Sequence, residues 1–312
     1  MKNLIVTADD YGVFPSINNG VKEAIRKGKV NSVACFSNHK DSVKNVKELL
    51  DEFENKVDIG CHFTLSSGEP LIVKNNEAFT HGKNFNDFSN LDINGILKQP
   101  NELKKELIAQ VQVFKDNQIP VNHLSCHCNT LTTVKGLFKT YLEVAALFKI
   151  PMRSVNIQPD KKDNSYRMAL NLMLADNVPT SILKEIRNFQ KEINQTVADY
   201  KLVKTPGMLE SSHYGPLPFY AILDISIDRR KKDKHDTIKK FLKTFQDSTH
   251  QHAELMVHLV NYPDYLSGID DDIDYTGVNT KYFDSRQIEQ KSILEFDYTI
   301  APNISLGGWS QL

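Results

Sequence analysis

The chain has no long uninterrupted apolar run, almost no net charge, only four cysteines and no internal repeat. No window approaches the roughly 20 apolar residues that a membrane-spanning helix needs. At the amino terminus Leu4-Ile5-Val6 is too short an apolar core for a signal peptide. These absences predict a cytoplasmic protein with no membrane partner. With 38 lysines and arginines against 39 aspartates and glutamates, the overall charge does not favour nucleic acid or anionic lipid. The balance predicts no nucleic-acid partner and suits a small neutral or weakly charged ligand. Cys35, Cys61, Cys126 and Cys128 lie in apolar, strand-like settings, which predicts buried free thiols instead of a disulfide framework.

The 312 residues suffice for a sizeable core. Apolar strand-like runs alternate with runs of helical period. Leu4 to Val6, Val33 to Phe36 and Val57 to Leu65 read as strands, with helices near Ile17 to Lys27 and Val43 to Phe53 between them. Such βαβαβ order favours a largely parallel sheet. The pattern continues with a helix over Glu102 to Asn117, a strand over Asn122 to Cys128, a helix over Gly136 to Phe148 and a short strand over Pro151 to Val155. Asp160 to Tyr200 reads as mostly helical, and Tyr214 to Asp224 has no clear period. Ala253 to Leu259 reads as a late strand, and Ser285 to Phe296 as a final helix. Residues 75–100, polar and poorly periodic, read as an inserted loop that could cover a site. The charge run Arg229 to Lys234 is expected on a solvated face. No clean linker interrupts the chain, so residues 1–312 are expected to form a single catalytic domain with that inserted loop.

Polar groups end four of the strand-like runs: Asp9-Asp10 before Tyr11-Gly12, His62 in Gly60-Cys61-His62-Phe63, His127 in Ser125-Cys126-His127, and His258 in Met256-Val257-His258. Adjacent carboxylates near a core are costly unless a cation or substrate needs them. In a parallel α/β barrel the carboxyl ends of the strands share one face, so residues scattered in sequence meet in space. One carboxylate and two neutral imidazoles form a sensible catalytic set for a divalent cation, with positions left for water and substrate. An isolated strand histidine is more often a hydrogen-bonded core residue; it is the joint occurrence with paired acids that favours a site.

These motifs resemble the YdjC-like carbohydrate deacetylases, relatives of the wider polysaccharide deacetylase group. Thr7 to Gly12, with Asn19-Gly20 and Gly28 to Ser32, is similar to the family's opening block. Gly60 to Leu65 with Gly68-Glu69-Pro70-Leu71 resembles the second block. Glu106 to Phe114 with His123 to His127 resembles the third, and Glu254 to His258 the last. The resemblance implies an α/β fold of the polysaccharide deacetylase type, a distorted (β/α) barrel of mostly parallel strands. It implies a metal-dependent hydrolase that removes acetyl groups from N-acetylated sugars or short oligosaccharides. One divalent ion, Mg2+ or Zn2+, would be held by Asp10, His62 and His127. Asp9 would be the general base, His258 the general acid, and Arg153 the arginine that orients the base. Members of the family often form homodimers.

Two departures stand out. Ser125 occupies the position where the family has an aspartate, and Asn129 one where it has a histidine. On a strand, Ser125, His127 and Asn129 would share a face and Cys126 and Cys128 would point away, which argues against a cysteine-rich zinc centre. The loop after His258 also differs, reading Leu259-Val260-Asn261-Tyr262-Pro263. A metal- or sugar-binding protein with impaired catalysis on the same scaffold is the alternative; a two-metal phosphoesterase lacks the extra carboxylates.

Overall fold

The apolar runs of the first half pair side by side because each is followed by a helix that returns the chain to the same end of the sheet. The computed structural model describes residues 1–54, 56–87, 90–132, 134–153, 204–211, 227–261 and 280–312. In chain order these include β1 (Lys2–Tyr11), α1 (Pro15–Arg26), β2 (Ser32–Cys35), α2 (Ser42–Glu52) and β3 (Asp58–Phe63). A small hairpin, β4 (Thr80–His81) and β5 (Asn84–Phe85), precedes α3 (Ile93–Leu97), α4 (Pro100–Asp116), β6 (His123–Cys126) and α5 (Lys135–Phe148). Then come β7 (Met208–Ser211), α6 (Ile227–Asp247), β8 (His252–Val257), α7 (Thr280–Glu295) and β9 (Ile304–Leu306).

The main sheet runs β6-β3-β2-β1-β8-β7, with β9 added to β1, and its pairings are parallel. It curls into a half-barrel flanked by helices. Beyond β6 the curl continues at Met152, which bridges Leu124 and whose N–H donates to the carbonyl of Lys204, 3.0 Å away. Strands covered on both faces need no alternation of polar and apolar residues. β1 accordingly is buried from Asn3 to Tyr11.

Helices cover the sheet with apolar stripes at three- and four-residue spacing. Ile17, Val21 and Ala24 form the stripe of α1, whose first turn begins on Pro15. Leu103, Leu107, Val111 and Phe114 form that of α4. At the amino-terminal end of the sheet the carboxyl tail makes a floor. Trp309 stacks on His123 at 4.4 Å, its indole N–H donates to Ser32 Oγ, 3.0 Å away, and its backbone N–H donates to Asp58. Gly60 leaves room for the His123 ring, since a Cβ there would overlap it.

Three expectations need correction. Residues 75–100 are more than an inserted loop: they carry the β4–β5 hairpin and α3, and they put Phe79, Phe85, Ile93 and Ile96 into the core. The strand expected over Asn122 to Cys128 stops at Cys126, because Cys128 and Asn129 take left-handed backbone angles within a 3-10 segment, His127–Thr132. Strand parity therefore does not govern His127, Cys128 and Asn129. Lys234 is buried instead of solvated, on the inner side of α6. The readings for Asp160 to Tyr200 and Tyr214 to Asp224 lie outside the described residues.

Candidate active site

All six sequence-predicted residues meet at the carboxyl end of the sheet. Asp9 and Asp10 lie near the end of β1, His62 near the end of β3, His127 just after β6, Arg153 next to the Met152 bridge and His258 just after β8. Adjacent strand residues ordinarily point to opposite faces. Here β1 carries an extra residue between Ala8 and Tyr11 relative to β2, and Asp10 adopts φ 68°. Such a bulge re-aims one side chain, so both carboxylates turn into the same cleft. Gly12, at φ 98°, closes the turn, and its N–H donates to Asn18 Oδ1 at 2.8 Å.

Asp10 Oδ1 lies 3.3 Å from His62 Nε2 and 3.0 Å from His127 Nδ1. One potential ligand atom from each residue lies within 4.8 Å of the others, a spacing that one cation could span. The donor set fits a divalent ion chemically. Around it, the buried carboxylates of Asp9 and Glu254 share the guanidinium of Arg153, whereas Asp10 faces the two imidazoles.

Ser125 is placed to orient the His62 ring. Its Oγ lies 2.7 Å from His62 Nδ1, and both residues are buried. Occupying Nδ1 in this way leaves Nε2 facing Asp10. Phe36 packs edge-on against His39, His62 and His127 at 5.1, 5.1 and 5.2 Å, an apolar wall that limits ring motion. His39 Nε2 contacts Ser67 Oγ at 3.0 Å, and Asn38 donates to the carbonyls of Ser67 and Glu69. The loop after β3 is thereby tied beside the site. Further out, the buried Glu106 accepts from the backbone N–H groups of Leu71, Ile72 and Val73.

Asp9 makes a bidentate pair with Arg153, with Nη1 to Oδ2 at 2.6 Å and Nη2 to Oδ1 at 2.7 Å. Its Oδ2 is also 3.9 Å from both His62 Nε2 and His258 Nε2. Burial pushes the Asp9 carboxyl up, but Arg153, His62 and His258 hold it below its ordinary value. Burial likewise opposes the Asp10 charge, and His127 and His62 outweigh it, leaving Asp10 well below the usual carboxylate range. His127 moves well above its ordinary value: burial works against its charge, but Cys128 and Asp10 favour it. Burial, followed by the Arg286 charge, lowers His258 to about 4, against weaker opposing pulls from Asp10, Asp9 and Glu289.

The loop that carries His258 is held from two sides. Glu289 Oε1 accepts the His258 backbone N–H at 3.0 Å, and the Asn261 N–H donates to the Ser16 carbonyl at 3.0 Å. Gly20 permits this close approach, since a Cβ there would lie 2.9 Å from the Asn261 nitrogen. Sequence reasoning missed Phe36, His39 and Glu254 as parts of the site. Glu254 alone gave a readable signal, as an acid inside the otherwise apolar Ala253 to Val257.

A family model described as "YdjC-like protein" matches residues 3–290. The chain belongs to this family. The YdjC-like chain is 22% identical over 208 residues to a carbohydrate deacetylase of Clostridium beijerinckii, covering 67% of this chain and 82% of that one. To the carbohydrate deacetylase of Thermoanaerobacter pseudethanolicus it is 26% identical over 173 residues, covering 52% and 64% respectively. To that of Listeria monocytogenes it is 30% identical over 127 residues, covering 40% and 50%. The latter two matches thus span less than two thirds of the relatives' own lengths. A solved structure from Enterococcus faecalis, described as a proposed cellobiose-phosphate cleavage protein, superposes with TM-score 0.67 at 18% identity. That match covers 99% of this chain and 98% of the other, a likeness of fold.

Proposed function

We propose that this YdjC-like protein is a metal-dependent hydrolase that removes acetyl groups from N-acetylated sugars or short oligosaccharides. The observation that carries the proposal is the convergence of Asp10, His62 and His127 on one point, with Asp9 and His258 flanking it. The names of the curated relatives support the same chemistry. A divalent cation held by Asp10, His62 and His127 would acidify a water and polarise the acetyl carbonyl. Two imidazole nitrogens and one carboxylate oxygen suit Zn2+ or a similar ion better than Mg2+, which prefers oxygen donors.

The chain's own residues do the rest. Arg153 keeps Asp9 ionised and fixes its plane, so Asp9 Oδ2 can accept the proton of the attacking water. His258, lowered to about 4, is unprotonated near neutral pH and holds no proton in advance. Its Nε2 lies 3.9 Å from Asp9 Oδ2, a gap that must shorten to hydrogen-bond reach before the proton taken on attack can pass through His258 to the departing amine. The walls of Phe36 and the loop after β3 exclude bulk water from the acids. The reading takes residues 1–312 as one catalytic domain in the cytoplasm, acting on a small sugar, with no nucleic-acid or membrane partner. Free, buried Cys35, Cys61 and Cys126 fit a reducing compartment. No helix of the described residues is long and apolar enough to cross a membrane.

The test is acetate release from N-acetylglucosamine oligomers by purified protein supplied in turn with Zn2+, Co2+, Mn2+ and Mg2+. Release that a chelator abolishes supports the reading. Failure across a broad panel of N-acetylated sugars, with metal binding demonstrated, rejects it.

A further inference from the structure

Glu254 is fully buried in β8, flanked by the apolar and equally buried Ala253 and Leu255. A carboxylate in such a place is expensive unless it is paired and hydrogen-bonded. Its partner is Arg153, whose Nε and Nη2 donate to Glu254 Oε1 at 3.0 and 2.8 Å. The same guanidinium gives Nη2 and Nη1 to the two oxygens of Asp9, and Nη1 also contacts Met256 Sδ at 3.1 Å. These contacts occupy the five N–H directions that a guanidinium possesses. Its plane is therefore set by two carboxylates on neighbouring strands, with Ile5 of β1 in register with Glu254 of β8.

Asp9 alone would leave the pair free to pivot as a unit. The backbone of Arg153 is tied to β6, its N–H donating to the Leu124 carbonyl at 2.8 Å, but that bond fixes only the near end of a long side chain and leaves the guanidinium to be placed by its own partners. We propose that Glu254 is a positioning residue: it anchors the outer edge of Arg153 so that Asp9 presents Oδ2 to the gap between His62 and His258. This inference rests on the deacetylase reading for its consequence in catalysis, though the geometry itself does not. A displacement of about 1 Å at a reacting group can lower turnover about a hundredfold.

The experiment compares E254L, E254Q and E254D with the parent by two readouts. The first is the Arg153 Nε–H resonance in 15N-labelled protein, assigned by its loss in Arg153→Lys. The second is kcat and KM for acetate release. Parent and E254Q, whose amide oxygen can accept the same two bonds, should show a slowly exchanging Nε–H, and E254Q should lose no more than about threefold in kcat. E254L should lose the resonance and about a hundredfold in kcat at unchanged KM. Should E254L fail to fold, E254D, whose carboxylate is withdrawn by one methylene, must show the same loss of resonance and kcat. Retention of the resonance in E254L or, where that fails to fold, in E254D overturns the proposal, as does a fall in E254Q equal to that in the shortened variant. Because the resonance is read without substrate, its loss in E254L alongside a parent that releases no acetate would reject the deacetylase reading and leave the positioning role standing.

Discussion

Replacing Ser125 by alanine should weaken metal binding without altering any ligand. The hydroxyl lies 2.7 Å from His62 Nδ1. Ser125 is 0% and His62 1% exposed, so water cannot step in. A buried polar atom left unpaired costs about 1 to 3 kcal/mol. The cheapest escape is for His62 to shift its proton to Nε2 or to turn its ring, and either removes Nε2 as a donor toward the site. At about 1.4 kcal/mol per tenfold, the loss corresponds to roughly 5- to 150-fold in affinity. That range brackets the roughly 10- to 100-fold effect typical of a removed ligand-orienting partner. Competition of Zn2+ between the protein and a chromophoric chelator would measure it, with circular dichroism to check the fold. An S125A protein that is folded and binds Zn2+ within about twofold of the parent would refute the reasoning that the serine hydroxyl orients His62.

Asp9→Asn should retain metal binding and lower acetate release by about a hundredfold to ten-thousandfold, whereas Asp10→Asn should lose metal binding first; equal metal loss in both would erase the division of roles between the two acids. Acidification from about pH 6.5 to pH 5 should destabilise chelator-treated protein, because burial holds His39 and His258 down to about 4 and His123 well below its ordinary value. In that window the unfolded chain binds more protons than the folded one, so stability falls with pH. His127 has the opposite shift, and its contribution is complete below about 6.5 and lost only above neutral pH. Glu254 and Asp58, pushed up by burial, work against the trend closer to their own range. Urea midpoints that do not change over this interval, or that fall as steeply in His39→Asn as in the parent, would contradict the assignment. Trp309→Ala should lower stability by about 3 to 5 kcal/mol through loss of the floor packed on His123. Urea unfolding followed by circular dichroism would measure this, and a loss below about 1 kcal/mol would mean the tail is not part of the core.

Much of the architecture is legible in the chain because its signals are local. The alternation of short apolar runs with helical stripes led to a parallel α/β sheet, and polar residues at the ends of four runs drew attention to one face of it. Elements with weak local signals were lost. The 75–100 segment reads as polar, yet Phe79, Phe85, Ile93 and Ile96 reach the core, since isolated apolar residues in short elements leave no period to detect. Asn129 reads as sharing a face with Ser125 only under a strand geometry that in fact ends at Cys126. The left-handed residues Cys128 and Asn129, neither a glycine, gave no warning of the break. Glu254 could be seen as an acid among apolar neighbours, but nothing local named its partner 101 residues away.

By itself the sequence determined the residue types of the chemistry and their attachment to strand ends, because periodicity and side-chain chemistry are carried by near neighbours. Only the tertiary structure decided which of these residues meet. The bulge in β1 turns both Asp9 and Asp10 into one cleft, against the alternation an unbroken strand would impose. Arg153 then claims Asp9, His62 and His127 claim Asp10, and Ser125 orients His62. Each of those pairings is set by strand order, register and backbone conformation, which arise from contacts among distant parts of the chain.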